Sequence, residues 1–261
     1  DLTVGGETRV DGFYPRHVNA LQLRHDRFLL LITSGGWRVV DDNRSLIYQI
    51  RADTYDGPII QEGFITQGAD DWEILGDGRQ FRRETISPNG FGVPSGAVID
   101  GNVPVHAGLF VIMWRRRARA TKSDAGWQEL DDKTAIVEWT QVRLNTAGNE
   151  LEVIQPAQPL RQCGYDNGYV INERIDMRRV ECGMAQPVPM DNSGMRWISS
   201  AYVVVHDTEH SVISLSTEPP LAVAHLEFTF DANRGLYQWT RTGPASVRGL
   251  WEPSPIRWRN E

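Results

Sequence analysis

The sequence predicts an all-β protein, a β-propeller built of four-stranded antiparallel blades. Three observations carry that prediction. Short runs rich in Val, Ile, Leu, Phe, Tyr and Trp recur along the chain between turn signals. The signals are clusters of Gly, Pro, Asp and Asn, such as Asp56-Gly57-Pro58 and Glu218-Pro219-Pro220. No segment keeps a helical period beyond two turns, Asn172–Val180 being a weak exception. Repeated meanders of four strands point to propeller blades, and the repeat is one of pattern rather than of residues.

The first unit spans residues 17–66. His17–Leu23 alternates polar and apolar, and Arg24-His25-Asp26-Arg27 turns the chain. Phe28–Thr33 is the next apolar run, and Ser34-Gly35-Gly36 ends it. Ser45–Arg51 alternates again, and after Asp56-Gly57-Pro58 a fourth strand runs from Ile59 to Thr66. The second unit, 106–155, opens at His106. Its strands are Leu109–Trp114, Ala135–Leu144 and Leu151–Gln155, with a charged loop, Arg115–Lys133, between the first two. Leu109–Trp114 is too short to cross a membrane and too rich in β-branched and aromatic residues for a helix, so it reads as a buried central strand. Residues 156–197 are punctuated by Pro and Gly and read as a long ordered loop or insertion. The third unit, 200–240, reads as one full blade: Ser200–Val205, Ser211–Ser216, Val223–Phe230 and Leu236–Thr240. Another unit opens at Glu252. Three blades and the start of a fourth do not close a ring. Residues 1–261 therefore read as a propeller domain or part of one, completed by a second segment or chain. A compact five-bladed ring and a two-sheet sandwich are the rival architectures.

The chain has 261 residues, 40% hydrophobic and 23% charged, which describes a soluble globular protein. A net charge of −7 argues against nucleic acid as the partner of the whole chain. No apolar run reaches membrane length, so no membrane partner is expected. Nine tryptophans suit strands and sugar-binding surfaces. Cys163 and Cys182 permit one disulfide, a shared metal or two free thiols. The chain opens on Asp1, as expected of a processed product, secreted or periplasmic.

There is no P-loop, GxGxxG, HExxH, GxSxG or CxxC. His106 stands just before a strand read as innermost, where it would face the propeller channel as an acid/base or as the group that neutralises a carboxylate. The bland alternative is a loop histidine bonded to backbone. His17 holds the matching place in the first unit. Cys163-Gly164-Tyr165-Asp166-Asn167-Gly168-Tyr169 is followed by Arg174, Arg178 and Arg179. A guanidinium near a phenol lowers its pKa from about 10, which would let Tyr165 act as a base. A structural tyrosine with surface arginines is the alternative. Trp114-Arg115-Arg116-Arg117-Ala118-Arg119, with Lys122, is a basic patch on an acidic protein. It suits a sulfated or uronate polysaccharide, or it is a solvated strand end. His206 and His210 flank a turn, and His225 alternates with apolar neighbours. Asp41-Asp42-Asn43 and Asp131-Asp132 are compatible with a structural calcium, and the two cysteines with a zinc. The chemistry itself requires no cofactor.

Phe91–Gly101 (FGVPSGAVIDG) and Val105–Arg115 (VHAGLFVIMWR) resemble a stretch of the seven-bladed propeller polysaccharide lyases that cut ulvan, often described as sialidase-like or BNR-repeat proteins. The resemblance covers the whole chain weakly and residues 90–119 better, and it makes the chain about half of such an enzyme. It implies β-elimination at a uronic acid of a sulfated glycan. His106 matches the channel histidine, Tyr165 the tyrosine base and acid, and Arg179 the supporting arginine, for which Arg178 can substitute. His17, Arg115, Arg117 and Arg178 would bind substrate. The family tends to place a second histidine soon after the first, and here none occurs between His106 and His206. His17 is the candidate for that role from another blade. The expectation is that His106, Tyr165 and Arg179 converge on one cleft, with the Arg115–Arg119 cluster nearby. The competing classes are a propeller glycoside hydrolase of sialidase or rhamnosidase type and a non-catalytic carbohydrate-binding propeller. Tyr14-Pro15-Arg16 is a thin echo of the sialidase arginine motif, but Ser-x-Asp-x-Gly-x-Thr-Trp repeats are missing.

Overall fold

A computed structural model describes residues 13–36, 43–66, 73–74, 80–122, 126–129, 136–159, 169–170, 173–182, 186–206, 221–242 and 247–248. Every regular element among them is a strand. The strands form three antiparallel sheets, each built on four long strands. The first sheet takes its strands in chain order: β1 (Phe13–Arg24), β2 (Arg27–Gly36), β3 (Asn43–Ala52) and β4 (Ile59–Thr66). The second holds β5 (Glu73–Ile74), β6 (Gln80–Gly92), β7 (Leu109–Lys122), β8 (Gly126–Glu129), β9 (Ile136–Leu144) and β10 (Leu151–Pro159). Its order is β10-β9-β7-β6-β5, with β8 on the end of β7. The third holds β11 (Tyr169–Val170), β12 (Glu173–Cys182), β13 (Val188–Pro189), β14 (Arg196–His206), β15 (Leu221–Asp231), β16 (Leu236–Thr242) and β17 (Val247–Arg248). Its order is β11-β12-β14-β15-β16, with β13 on β14 and β17 on β15.

The second sheet lies between the other two, and β7 is its pivot. Successive strand residues point to opposite faces. Leu109, Val111 and Met113 therefore pack with Phe228, Phe230, Tyr237 and Trp239 of the third sheet. Phe110, Ile112 and Trp114 pack with Leu21, Leu29, Leu31, Leu46 and Ile50 of the first. All six β7 side chains are buried, which is why this strand reads as an unbroken apolar run and not as an alternation. Burying each contributes roughly 1.5–3 kcal/mol. The backbone of β6 comes close to the first sheet at Gly90, where a Cβ would sit 2.7 Å from Leu21 Cδ1 and 2.9 Å from the Val111 carbonyl oxygen.

Polar bridges add to the apolar seams. Gln141 of β9, wholly buried, receives Tyr237 N–H at 2.8 Å and donates to the Tyr237 carbonyl at 2.9 Å. It thus treats the margin of β16 as a neighbouring strand would. On the other seam Leu151 N–H donates to Gln61 Oε1 at 3.2 Å.

The first unit has the strands its alternation predicts, and the other two need correction. The second sheet starts upstream of His106: β6 pairs with β7 from Phe81↔Ala120 to Gly92↔Phe110, so the strand after His106 is the second long strand and not the innermost. Arg82, Arg83, Glu84, Pro88 and Asn89 hide β6 from an apolar count. The supposed loop Arg115–Lys133 is strand through Lys122. Its arginines extend the ladder along β6, with Arg117 in register with Glu84. The weak helix at Asn172–Val180 is β12 from Glu173 on, and the supposed loop 156–197 also holds β11, β13 and the start of β14. β14 pairs directly with β15, and among the described residues the third sheet's long strands are β12, β14, β15 and β16, so the sheet begins upstream of residue 200. Ser211–Ser216 lies outside the described residues.

Because β7 serves both seams, truncating either of its faces should be costly. Ile112→Ala is expected to lower the unfolding free energy by about 2–5 kcal/mol. A urea titration reads this, and a loss under about 1 kcal/mol would contradict the two-sided burial.

Candidate functional site

Two constellations stand out. The first is a turn joining β13 to β14. Asp191 Oδ1 accepts from Ser193 N–H at 2.9 Å, Ser193 Oγ at 2.5 Å and Gly194 N–H at 3.1 Å, the local bonding for which Asp is favoured in turns. Gly194 adopts φ +70°, and a Cβ there would collide with Val93 Cγ2. With its N–H groups held by Asp191, the turn offers its carbonyls to three donors. His106 Nε2 donates to the Ser193 carbonyl at 2.9 Å. Trp197 Nε1 and Tyr237 Oη both donate to the Gly194 carbonyl at 2.8 Å.

His106 is 2% exposed, with the rings of Phe230 and Tyr237 centred 5.2 and 6.1 Å away. A carbonyl accepts only, so the Ser193 bond places the hydrogen on Nε2 and leaves Nδ1 with a lone pair. Among the described residues that buried Nδ1 has no hydrogen-bond partner. Burial lowers the imidazole pKa from its ordinary value; the Ser193 bond and the charge of Asp191 oppose that shift without reversing it. Burial likewise pushes the Tyr237 phenol well above its ordinary value, so it serves as a donor. The expectation that His106 faces an open channel is corrected. It lies beneath a turn, and its contacts are those of a clamp between the β6–β7 and β13–β14 connections.

The second constellation runs along the first long strand of each sheet. In β1 the register passes from Pro15↔Ser34 to Val18↔Ile32, so Arg16 and His17 together oppose Thr33. In β6 it passes from Ile86↔Arg115 to Asn89↔Met113, so Ser87 and Pro88 oppose Trp114; Ser87 takes φ +50°. In β12 it passes from Asp176↔Val204 to Glu181↔Tyr202, so Met177–Val180 oppose Val203. The first long strand of each sheet thus carries a register shift, two residues against one in β1 and β6 and four against one in β12. Among the described residues β1 is the margin of its sheet, and β6 and β12 gain further partners only at their starts, from β5 and β11. Bulges on such strands re-aim side chains and leave backbone groups unpaired. Beside the first two, Asn19 Nδ2 donates to Asn89 Oδ1 at 3.4 Å, Asn89 Oδ1 also receives Gly90 N–H at 2.9 Å, and the buried Asn19 Oδ1 has no partner.

This register brings His17, Arg178 and Arg179 to equivalent bulges of different sheets. It separates His106 from the basic cluster. His106 precedes the start of β7, whereas Arg115 and Arg117 lie beyond Trp114, roughly 20 Å farther along the strand at about 3.3 Å per residue. The expectation that the Arg115–Arg119 cluster lies near His106 is therefore corrected. Tyr165 and Cys163 lie outside the described residues, as do Asp41, Asp42, Asp131 and Asp132; Cys182 ends β12 opposite Ala201. The matched bulges escaped sequence reading because a bulge is a relation between two strands. Pro15 and Pro88 are their one trace. No family model matches the chain, and no curated protein matches it.

Gly194 tests the clamp. Gly194→Ala places a Cβ in the left-handed region and against Val93, and should cost about 2 kcal/mol or more in thermal or urea unfolding. A neutral effect would show that the turn is not held as described.

Proposed function

We propose that the three sheets are consecutive blades of a seven-bladed β-propeller, and that the protein cleaves an anionic, uronate-containing glycan of the ulvan kind by β-elimination. One observation carries the reading: the first long strand of each sheet carries a register shift, with His17 at one and Arg178 and Arg179 at another. Propeller blades surround a central channel, and their first strands line it. Bulges at one level would gather their residues on one stretch of that lining.

The chemistry asks for three roles. A cation, here Arg179 with Arg178 beside it in sequence, neutralises the uronate carboxylate and makes the C5 proton more acidic. A base takes that proton; the lyase resemblance assigns this to Tyr165, four residues ahead of β11. The electron pair forms the C4–C5 double bond as the C4–oxygen bond breaks, and the leaving oxygen takes a proton from the tyrosine or from His17. His106, buried and committed to Ser193, has no part in this scheme. The Arg115–Lys122 run supplies a positive field for a polyanion, partly offset by Glu84 opposite Arg117. Further blades, from another segment or a second chain, would complete the ring, and a secreted or periplasmic setting suits such a substrate.

The test is incubation with ulvan while ultraviolet absorbance is followed, because elimination leaves a 4,5-unsaturated uronate and hydrolysis does not. Tyr165→Phe should retain binding and lose turnover by roughly 10²–10⁴-fold, and His17→Ala and Arg179→Ala should each lower kcat/KM by tenfold or more. New reducing ends without an absorbance rise would convert the reading to a hydrolase. Retention on immobilised ulvan with neither signal would convert it to a binding propeller. Full activity in Tyr165→Phe would remove that residue from the mechanism.

A further inference from the structure

We propose that His106 is a proton-operated latch between the second and third sheets, closed while its imidazole is neutral and released when a second proton arrives at Nδ1. The proposal is independent of the glycan reading. It rests on how completely the surrounding groups are committed.

The latch joins two connections far apart in sequence, which also meet where Val93 packs over Gly194. One is the β6–β7 loop, residues 93–108; the other is the turn that holds Asp191, Ser193 and Gly194. The N–H groups of Ser193 and Gly194 go to Asp191, and the carbonyls of the same two residues go to ring or phenol donors. Of those donors, His106 alone has an ordinary pKa near physiological pH. Its single bond uses Nε2, and its Nδ1 is buried without a partner among the described residues. A proton added there creates a buried donor with no acceptor and a cation among apolar groups, both of which disfavour the closed arrangement.

The groups facing His106 offer little compensation. From β15 comes Phe230, from β16 Tyr237 and from the loop's own start Val93. From the β13–β14 turn comes Asp191, among the described residues the one carboxylate whose charge acts on the imidazole, and its Oδ1 already accepts three bonds. Tyr237 is a neutral phenol whose hydrogen is committed to Gly194. Attraction between an imidazolium and the Phe230 ring acts against release, but it supplies no acceptor for the new N–H.

The sign follows from the lowered pKa. The folded state resists protonation that an unfolded or opened histidine accepts near pH 6.5. The latch's contribution is therefore intact above that value and is lost as pH falls through and below it. Release would free the loop that presents Val98, Val103 and Val105 to solvent, and would bare the edge of the Phe230 and Tyr237 cluster. The structure thus builds an acid-sensitive hinge into one rim of the seam.

Hydrogen exchange, corrected for intrinsic pH dependence, tests this on the whole chain between about pH 7.5 and about pH 5. In the wild-type protein, residues 93–108 and 190–196 should lose protection at least tenfold at the lower pH, while β2 keeps its own. In His106→Gln the amide can still donate to Ser193 but cannot titrate, so protection should not change across the range. Unchanged wild-type protection overturns the proposal, and so does an equal acid loss in His106→Gln. Should that variant fail to fold, the wild type decides alone. Loss of protection must share its midpoint with the His106 ring signals in NMR, and a separate midpoint overturns the latch.

Discussion

Burial of both faces of β7 is the constraint from which the rest of the structure follows. A strand with one wet face can tolerate many partners and registers. A strand covered on both faces fixes its register twice, because a one-residue slip would send Leu109, Val111 and Met113 to the first sheet and Phe110, Ile112 and Trp114 to the third. The second sheet is therefore the frame on which the other two are placed. It also explains the small residues of β6: close approach of its backbone to Leu21 requires that nothing project from Gly90.

The two constellations differ in kind. The clamp around Ser193 and Gly194 is buried and aromatic, with the carbonyls of both residues taken by ring or phenol donors, and it links neighbouring sheets at the rim where β7 begins. The bulges sit at sheet margins, where pairing is already interrupted. The proposed glycan chemistry is assigned to the margins and not to the clamp, because the more conspicuous histidine, His106, is buried. Rigidity at the rim and irregularity at the margin are complementary: bulges hold a defined shape only where the sheets carrying them are fixed against one another.

Some of this was legible in the residues. The first meander and the central strand of the second sheet follow from alternation and from a dense apolar run, which report burial directly. β6 and β12 were not legible, because each devotes much of its length to charged or turn-forming residues and is held as a strand by partners far away in sequence. The same limit hid the setting of His106. Its partner Ser193 is 87 positions distant, and nothing near His106 announces that a turn will close over it. Arg178 and Arg179 were visible as candidates, but their equivalence to His17 depends on pairing register, which exists only once the strands are matched.

Gln141 carries a consequence of its own. β16 ends its sheet's path, and an uncovered margin invites a strand from another molecule. At Tyr237 both outward backbone groups are taken by one amide side chain, so that stretch is closed to intruders without a further strand being spent on it. The device tolerates little drift. Glutamate has the same shape but, when ionised, only accepts, and it would leave the Tyr237 carbonyl facing a buried negative charge. Resistance of this margin to self-association therefore hangs on a single carboxamide, one deamidation away from repulsion.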